Sequence, residues 1–211
     1  MVAFINAEPW DRDSRLRELG FTRDQWIEVV RACVAARGYC TDNDPKSAPG
    51  FMSWRSGIRR MREIFRPLGW EKEDVDGIET IVHHDRKMRI TVMNTDSGTA
   101  DPDRSPRNRT VKGPATERVT DLNSQLEMFS SENMSNIEGG SNDYSIWHLC
   151  VFDDGNNVRA ELSRPVEFKS GYFIKFSERI WILGPGDWTD HNINVPNDDV
   201  GPDFEIEVRR K

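Results

Sequence analysis

The sequence has no long apolar run and lacks the motifs of several large enzyme classes. No stretch approaches the roughly 20 apolar residues of a transmembrane helix. Residues 1–15 have neither a basic start nor an apolar core, so no secretory signal is expected. The phosphate-binding patterns GxGxxG and GxxxxGK[ST] and the hydrolase pattern GxSxG are missing. These absences argue against membrane proteins and against the enzymes that those motifs identify.

Cysteine is scarce as well. The 211 residues include three cysteines, Cys33, Cys40 and Cys150, and no Cys-x-x-Cys spacing. An odd number in apolar surroundings indicates free thiols rather than a disulfide framework, so we expect a cytoplasmic protein. The four histidines form no HxH or HExxH pattern. No metal centre and no cofactor is therefore expected from a motif.

The patterns that are present favour an α+β fold. Thr22 and Gln25 have the spacing of a capping box, and apolar residues at helical spacing follow as far as Gly38, a natural helix stop. A second amphipathic pattern ends at Pro67 and Gly69. We expect two main helices in the N-terminal part of the chain.

Runs rich in β-branched and aromatic residues predict strands. Because consecutive runs are joined by short turns, the C-terminal runs favour an antiparallel sheet, and Pro165 within them predicts an edge strand. The first two runs predict a hairpin. The runs are residues 78–82, 88–92, 144–152, 157–163, 165–169, 172–176, 179–183 and 203–208.

The middle of the chain is polar. Apolar residues are sparse between 94 and 143, except where leucines at helical spacing predict a short helix. The chain thus divides into a helical portion with a β-hairpin (1–95), a polar, charge-segregated linker or binding loop (96–143) and an antiparallel β portion (144–211). These portions are either separate units or parts of a single domain.

Positive charge is concentrated in this polar segment, although the chain has a formal net charge of -7. Arginine offers bidentate contacts to phosphate. The leading hypothesis is a non-enzymatic binding or regulatory protein that engages nucleic acid or an acidic protein. Aspartates precede the cations, so neutralisation by the chain's own carboxylates is the alternative. The candidate binding residues are Arg104, Arg107, Arg109, Lys112 and Arg118 in the segment, and Arg59, Arg62 and Arg66 on the second helix.

A set of carboxylates suggests a second hypothesis. Asp153, Asp154 and Glu161 precede Glu167-x-Lys169, an arrangement similar to the core of restriction-type nucleases. In that core, carboxylates hold Mg²⁺ and a lysine positions the attacking water. Asp153 and Asp154 also fit a β-turn, and Glu167 and Lys169 also fit the solvent face of a strand. A metal-dependent nuclease-like enzyme is therefore the alternative, with Mg²⁺ as its cofactor.

The acidic C-terminal loop suggests a third hypothesis. An inhibitor or adaptor could use it as a nucleic-acid mimic on a basic protein, as small bacterial or phage accessory proteins do. Trp188 lies in the same loop, either as a recognition residue or packed on the core. The acidic residues are Asp187, Asp190, Asp198, Asp199 and Asp203.

Overall fold

The computed structural model describes residues 3–130 and 144–188. This part of the chain forms four α-helices and one seven-stranded mixed sheet, which confirms the α+β class. None of the helices in it is long and apolar enough to cross a membrane. The helices are α1 (Pro9–Glu18), α2 (Arg23–Gly38), α3 (Ala48–Phe65) and α4 (Pro114–Ser130). The strands are β1 (Phe4–Asn6), β2 (Glu71–Val75), β3 (Ile78–His83), β4 (Met88–Asn94), β5 (Ser145–Asp153), β6 (Val158–Lys169) and β7 (Tyr172–Leu183).

The sheet joins both halves of the chain in the order β1-β7-β6-β5-β4-β3-β2. Strands β3 and β4 are antiparallel, and so are β5 to β7, as the hairpin and the C-terminal runs predicted. Three pairings were not predicted: β2, which no predicted run covers, pairs with β3, and the pairs β4–β5 and β1–β7 are parallel. A parallel pair needs a crossover connection, and the chain that contains α4 connects β4 to β5.

The first face of the sheet packs on α1, α2 and α3. The capping box that starts α2 is present: Thr22 Oγ1 accepts from the Gln25 N–H, and Gln25 Oε1 accepts from the Thr22 N–H. Helix α3 passes into a 3₁₀ turn that Gly69 ends with a φ of 89°. The resulting core contains the buried side chains Trp26, Phe65, Ile90, Leu149 and Ile180.

Pro165 lies inside a long strand. The prediction of an edge strand is wrong, because β6 is paired with β5 on one side and β7 on the other. The pairing with β7 shifts register on both sides of Pro165, so the proline is accommodated in an irregular stretch. Buried Asn123 of α4 covers this point: its Nδ2 donates to the carbonyls of Pro165 and Ile146, both at 2.8 Å.

The same irregularity explains two further differences. The runs at 157–163 and 165–169 belong to one strand, β6, and the runs at 172–176 and 179–183 both belong to β7. The predicted turn at Ser170-Gly171 joins β6 to β7. The run at 203–208 lies outside the described residues.

The second face of the sheet is covered by α4 and by residues 95–113, which we call the central loop. Thr95 and Asn108 form a bridge across this loop, and both are buried. The segment that looked like a linker therefore packs on the sheet in this region.

Candidate functional site

The central loop lies over a buried ion pair. Arg179 of β7 and Glu161 of β6 are 2% and 0% exposed, and Arg179 Nη2 is 2.7 Å from Glu161 Oε2. Arg179 Nε donates to Glu161 Oε1 at 2.9 Å. The remaining guanidinium protons are donated to loop carbonyls, those of Gly98, Asp101 and Arg104, at 2.9 to 3.1 Å. One guanidinium thus satisfies a carboxylate and ties three points of the loop to the sheet.

Glu161 contributes a further tie to the loop. Its Oε2 accepts from the backbone N–H of Ala100 at 2.6 Å, where the loop has a positive φ of 48°. Its Oε1 also accepts from Ser163 Oγ at 2.6 Å. Buried charges are stable only when they are paired and fully hydrogen-bonded. Glu161 and Arg179 meet this condition only while the loop is in place.

The rest of the central loop is fixed by side chains that form hydrogen bonds with backbone groups. Asp96 Oδ1 accepts from the N–H groups of Gly98 and Arg107, both at 3.0 Å. Asn108 Nδ2 donates to the Gly171 carbonyl at 2.8 Å, and its Oδ1 accepts from the Phe173 N–H at 3.1 Å. The loop is therefore held at both of its ends, and its exposed arginines project from a fixed backbone.

Two of the five binding cations predicted in the polar segment are already paired. Arg104 donates to Asp101 Oδ2 through Nε at 3.0 Å and through Nη2 at 2.8 Å. Arg118, at the start of α4, is 2.6 Å from a carboxylate oxygen of Asp76 in the turn between β2 and β3. Self-neutralisation, which the sequence left open, therefore applies to these two residues.

The other three cations have no carboxylate partner within the described residues. Arg107 and Arg109 are exposed, whereas Lys112 is half-buried, and burial lowers the pKa of its ammonium group. The guanidinium of Arg107 lies 3.8 Å from the ring centroid of Tyr172, a cation–π contact. That of Arg109 lies 6.0 Å from the ring of Phe152. The structure brings an aromatic side chain, Tyr172, into a basic surface where the loop sequence itself has none.

The arginines of α3 do not extend this surface. Arg59 pairs with Glu63 at 2.8 Å, one helical turn away. Arg62 is largely buried and pairs with Glu79 of β3. Arg66 is exposed in the 3₁₀ turn that follows α3. Helix α3 packs on the first face of the sheet and the central loop on the second, so these residues and the loop arginines lie on opposite sides.

The five residues of the nuclease-like set lie in different surroundings. Glu161 is bonded to Arg179, as described above. Asp153 is buried, and its Oδ2 lies 3.7 Å from Nε of Arg37. The Asp154 carboxylate accepts backbone N–H groups of its own turn, and these hydrogen bonds hold its pKa below the usual value. Glu167 pairs with Lys175 across the surface at 2.6 Å, and Lys169 is exposed at the end of β6. Within residues 3–130 and 144–188, no three His, Cys, Asp or Glu side chains form a cluster that could hold a metal ion.

The buried thiols and the buried histidine lie in apolar surroundings. Burial raises the pKa of Cys33 to about 12 and raises that of Cys150 well above its usual value, so both are poor nucleophiles. Burial lowers the pKa of His148 to about 3, and a smaller effect comes from Lys112. The His148 ring packs 4.8 Å from the ring of Phe173. His148 is therefore neutral at physiological pH.

Trp188 is the last described residue of the C-terminal loop. It is partly buried against the main core, as expected of a side chain that fixes the loop. It also lines a cleft of about 290 Å³ together with Phe152 and Arg159. Asp190, Asp198, Asp199 and Asp203 lie outside the described residues.

The comparisons with known proteins add no family to this geometry. No protein-family model matches the chain, and a search of curated proteins finds no match either.

Proposed function

We propose that the protein binds a polyanion through the central loop, and that this polyanion is nucleic acid. One observation carries the proposal: Arg107 and Arg109 are exposed on a fixed loop and have no carboxylate partner within the described residues. In a chain of net charge -7, two such cations only two positions apart in the sequence are a poor arrangement for stability and a suitable one for binding phosphate.

The fixed loop favours binding because its backbone is already ordered in the free protein, so ordering it costs no further conformational entropy on binding. Arg179 and Glu161 of the sheet form hydrogen bonds with the loop backbone, and Asn108 fixes the part of the loop that carries the two arginines. A preorganised loop loses little conformational entropy when a ligand binds. The exposed charges then attract an anion even though the chain is acidic overall, since attraction is screened within about 10 Å at 0.1 M salt.

The aromatic residue beside Arg107 favours nucleic acid over an acidic protein. Tyr172 lies under the Arg107 guanidinium at 3.8 Å, so a charge and a flat ring occupy the same patch. Protein surfaces that bind nucleic acid combine arginines that contact phosphate with aromatic and guanidinium planes on which bases stack. An acidic protein partner would need only the charges.

The experiment compares the salt dependence of binding in matched variants. Fluorescence anisotropy of a labelled oligonucleotide is measured for the wild type and for Arg107→Gln/Arg109→Gln. If both arginines contact phosphate, the double variant loses about 1.4 to 1.8 from the slope of log affinity against log salt concentration. Arg104→Gln should change the slope less, because Asp101 already pairs with Arg104.

A matched control separates local contacts from total charge. Arg17→Gln/Arg31→Gln removes the same charge from α1 and α2, which pack on the other face of the sheet. We expect it to leave binding nearly unchanged. Equal losses from both double variants would show that only the net charge matters. Binding that survives Arg107→Gln/Arg109→Gln unchanged would refute the role of the loop.

The metal-dependent nuclease and the acidic-loop inhibitor remain separate predictions. The first expects cleavage in Mg²⁺ that Glu167→Gln abolishes. The second expects a basic protein partner whose binding depends on Asp198 and Asp199.

A further inference from the structure

The cleft beside the central loop lies where ligand sites form in α/β sheets. Strands β4 and β5 are parallel, and β7 runs in the same direction because it is two antiparallel pairings away from β5. The cleft is lined by Ser97, which follows β4, by residues at the end of β5, and by Trp188, which follows β7. Crevices outside the carboxyl ends of such strands are the usual ligand sites of these sheets.

Two guanidinium groups lie near the ring of Phe152, which lines this cleft, and one of them, that of Arg159, lines the cleft as well. Arg159 lies 4.8 Å from the ring centroid of Phe152, and Arg109 lies 6.0 Å from the same centroid. Neither forms an ion pair within the described residues. Arg159 Nη2 donates to the Ser97 carbonyl at 2.8 Å, and no hydrogen bond engages its Nε or Nη1 in that part of the chain. Two neighbouring cations with free donors can share one phosphate group.

Asp154, the one carboxylate among the described residues that lines the cleft, forms no ion pair with Arg159, although the charge of Arg159 adds to the backbone hydrogen bonds that lower the pKa of Asp154. The Oδ1 atom of Asp154 accepts the N–H groups of Asn156 and Asn157 at 3.0 and 2.8 Å. Asn156 lines the same cleft, and an asparagine amide can form hydrogen bonds with the edge of a polar ring. The wall thus combines the guanidinium of Arg159 with an amide residue, Asn156, which suits an anion attached to a polar, planar group.

Trp188 adds a flat apolar surface to the wall. Part of its ring packs on the core and part lines the cleft. Aromatic side chains bind bases by stacking, which contributes roughly fivefold to 150-fold in affinity per base. The volume of about 290 Å³ is at the small end of ligand pockets, so the cleft can take a single nucleotide but not a base pair within a duplex.

We infer that the cleft takes one unstacked nucleotide of a single-stranded nucleic acid, with the base against Trp188 and a phosphate between Arg109 and Arg159. This inference rests on the proposed function, because it names the form of nucleic acid that the basic loop binds. Arg109 belongs to the loop surface and lies 6.0 Å from the ring of Phe152, which lines the cleft, so a strand that crosses the loop at Arg109 comes next to the cleft.

The test compares a labelled single strand with the duplex of the same sequence at one salt concentration. The wild type should bind the single strand more tightly. Trp188→Leu should lower single-strand affinity by roughly fivefold to 150-fold and leave duplex affinity nearly unchanged. Arg159→Gln keeps a polar side chain at this position and should lower single-strand affinity without unfolding the protein. Trp10→Leu is the matched control, since Trp10 is 79% exposed on α1.

The outcomes separate this inference from the proposed function. If Arg107→Gln/Arg109→Gln weakens binding but Trp188→Leu and Arg159→Gln do not, the cleft is not the nucleotide site and the loop surface remains. Equal wild-type affinity for single strand and duplex would overturn the inference in the same way. If the wild type binds neither, the proposed function fails and the inference fails with it. Thermal unfolding of each variant shows whether a loss of affinity reflects a loss of fold.

Discussion

Replacing Glu161 by glutamine leaves the buried Arg179 guanidinium without a charged partner. Glu161 accepts two hydrogen bonds from Arg179, and both side chains are almost completely inaccessible to water. Glutamine keeps the shape but removes the charge, and its amide protons face the donors of Arg179. Breaking a buried ion pair from one side costs about 3–5 kcal/mol. We expect Glu161→Gln to lower the free energy of unfolding by an amount in this range.

The same two strands provide the control for this prediction. Glu167 and Lys175 form an ion pair between β6 and β7 at 2.6 Å, but their side chains are 42% and 55% exposed. Exposed pairs contribute about 0–1 kcal/mol, because water and salt screen them. Glu167→Gln should therefore hardly change stability. Urea denaturation followed by tryptophan fluorescence measures both variants under one set of conditions.

A double variant separates the charge of the pair from its bonds to the loop. Glu161→Leu/Arg179→Met removes both buried charges, so it should recover part of the stability that Glu161→Gln loses. The carbonyls of Gly98, Asp101 and Arg104 then lose their donors. Hydrogen exchange of the backbone in this part of the loop should accelerate even where global stability is recovered.

A small change in the free energy of unfolding on Glu161→Gln would contradict this prediction. If Glu161→Gln costs no more than Glu167→Gln, the guanidinium of Arg179 is not confined to a dry site beneath the loop. If the double variant exchanges as slowly as the wild type at residues 98–104, the ion pair does not hold the loop in place.

Two further predictions concern the core. An added Cβ at Gly57 would lie 2.5 Å from Cys33 Sγ and 3.0 Å from Val92 Cγ1, so Gly57→Ala should cost about 1–3 kcal/mol in urea denaturation; Gly38→Ala, with open space around it, should not, and equal effects would contradict the packing argument. Burial lowers the pKa of His148 to about 3, whereas the unfolded chain titrates near 6.5. The unfolded state thus binds more protons between these values, and stability falls by up to about 1.4 kcal/mol per pH unit as pH decreases through this window. His148→Gln should flatten this dependence, and parallel stability curves for the two proteins would contradict it.

Local patterns in the sequence identified the elements whose signals are local. Thr22 and Gln25 start α2, and Gly69 ends the turn after α3, because capping depends on residues a few positions apart. The hairpin of β3 and β4 was predicted for the same reason. The parallel pairings of β4 with β5 and of β1 with β7 join distant segments, and no short pattern indicates which strands meet.

The candidate site was predicted only in part, for the same physical reason. Composition identified the cations of the central loop, but it could not tell Arg104, which Asp101 neutralises, from Arg107, which has no such partner within the described residues. The sequence placed Glu161 in the nuclease-like set of carboxylates, and no local pattern indicated that it is buried in an ion pair with Arg179. Its burial comes from a loop that lies far away in the sequence, and Tyr172 joins the basic surface by the same packing.

The short strand β1 has a consequence for association between molecules. Its three residues pair with Glu178, Arg179 and Ile180 of β7, so the chain's own N-terminal segment occupies that stretch of the strand's outer side. An uncovered strand edge presents free backbone groups on which a second molecule can add a strand, and very short edge strands are poor templates for such growth. By ending the sheet with three residues instead of twelve, β1 protects the molecule from edge-to-edge aggregation along this stretch.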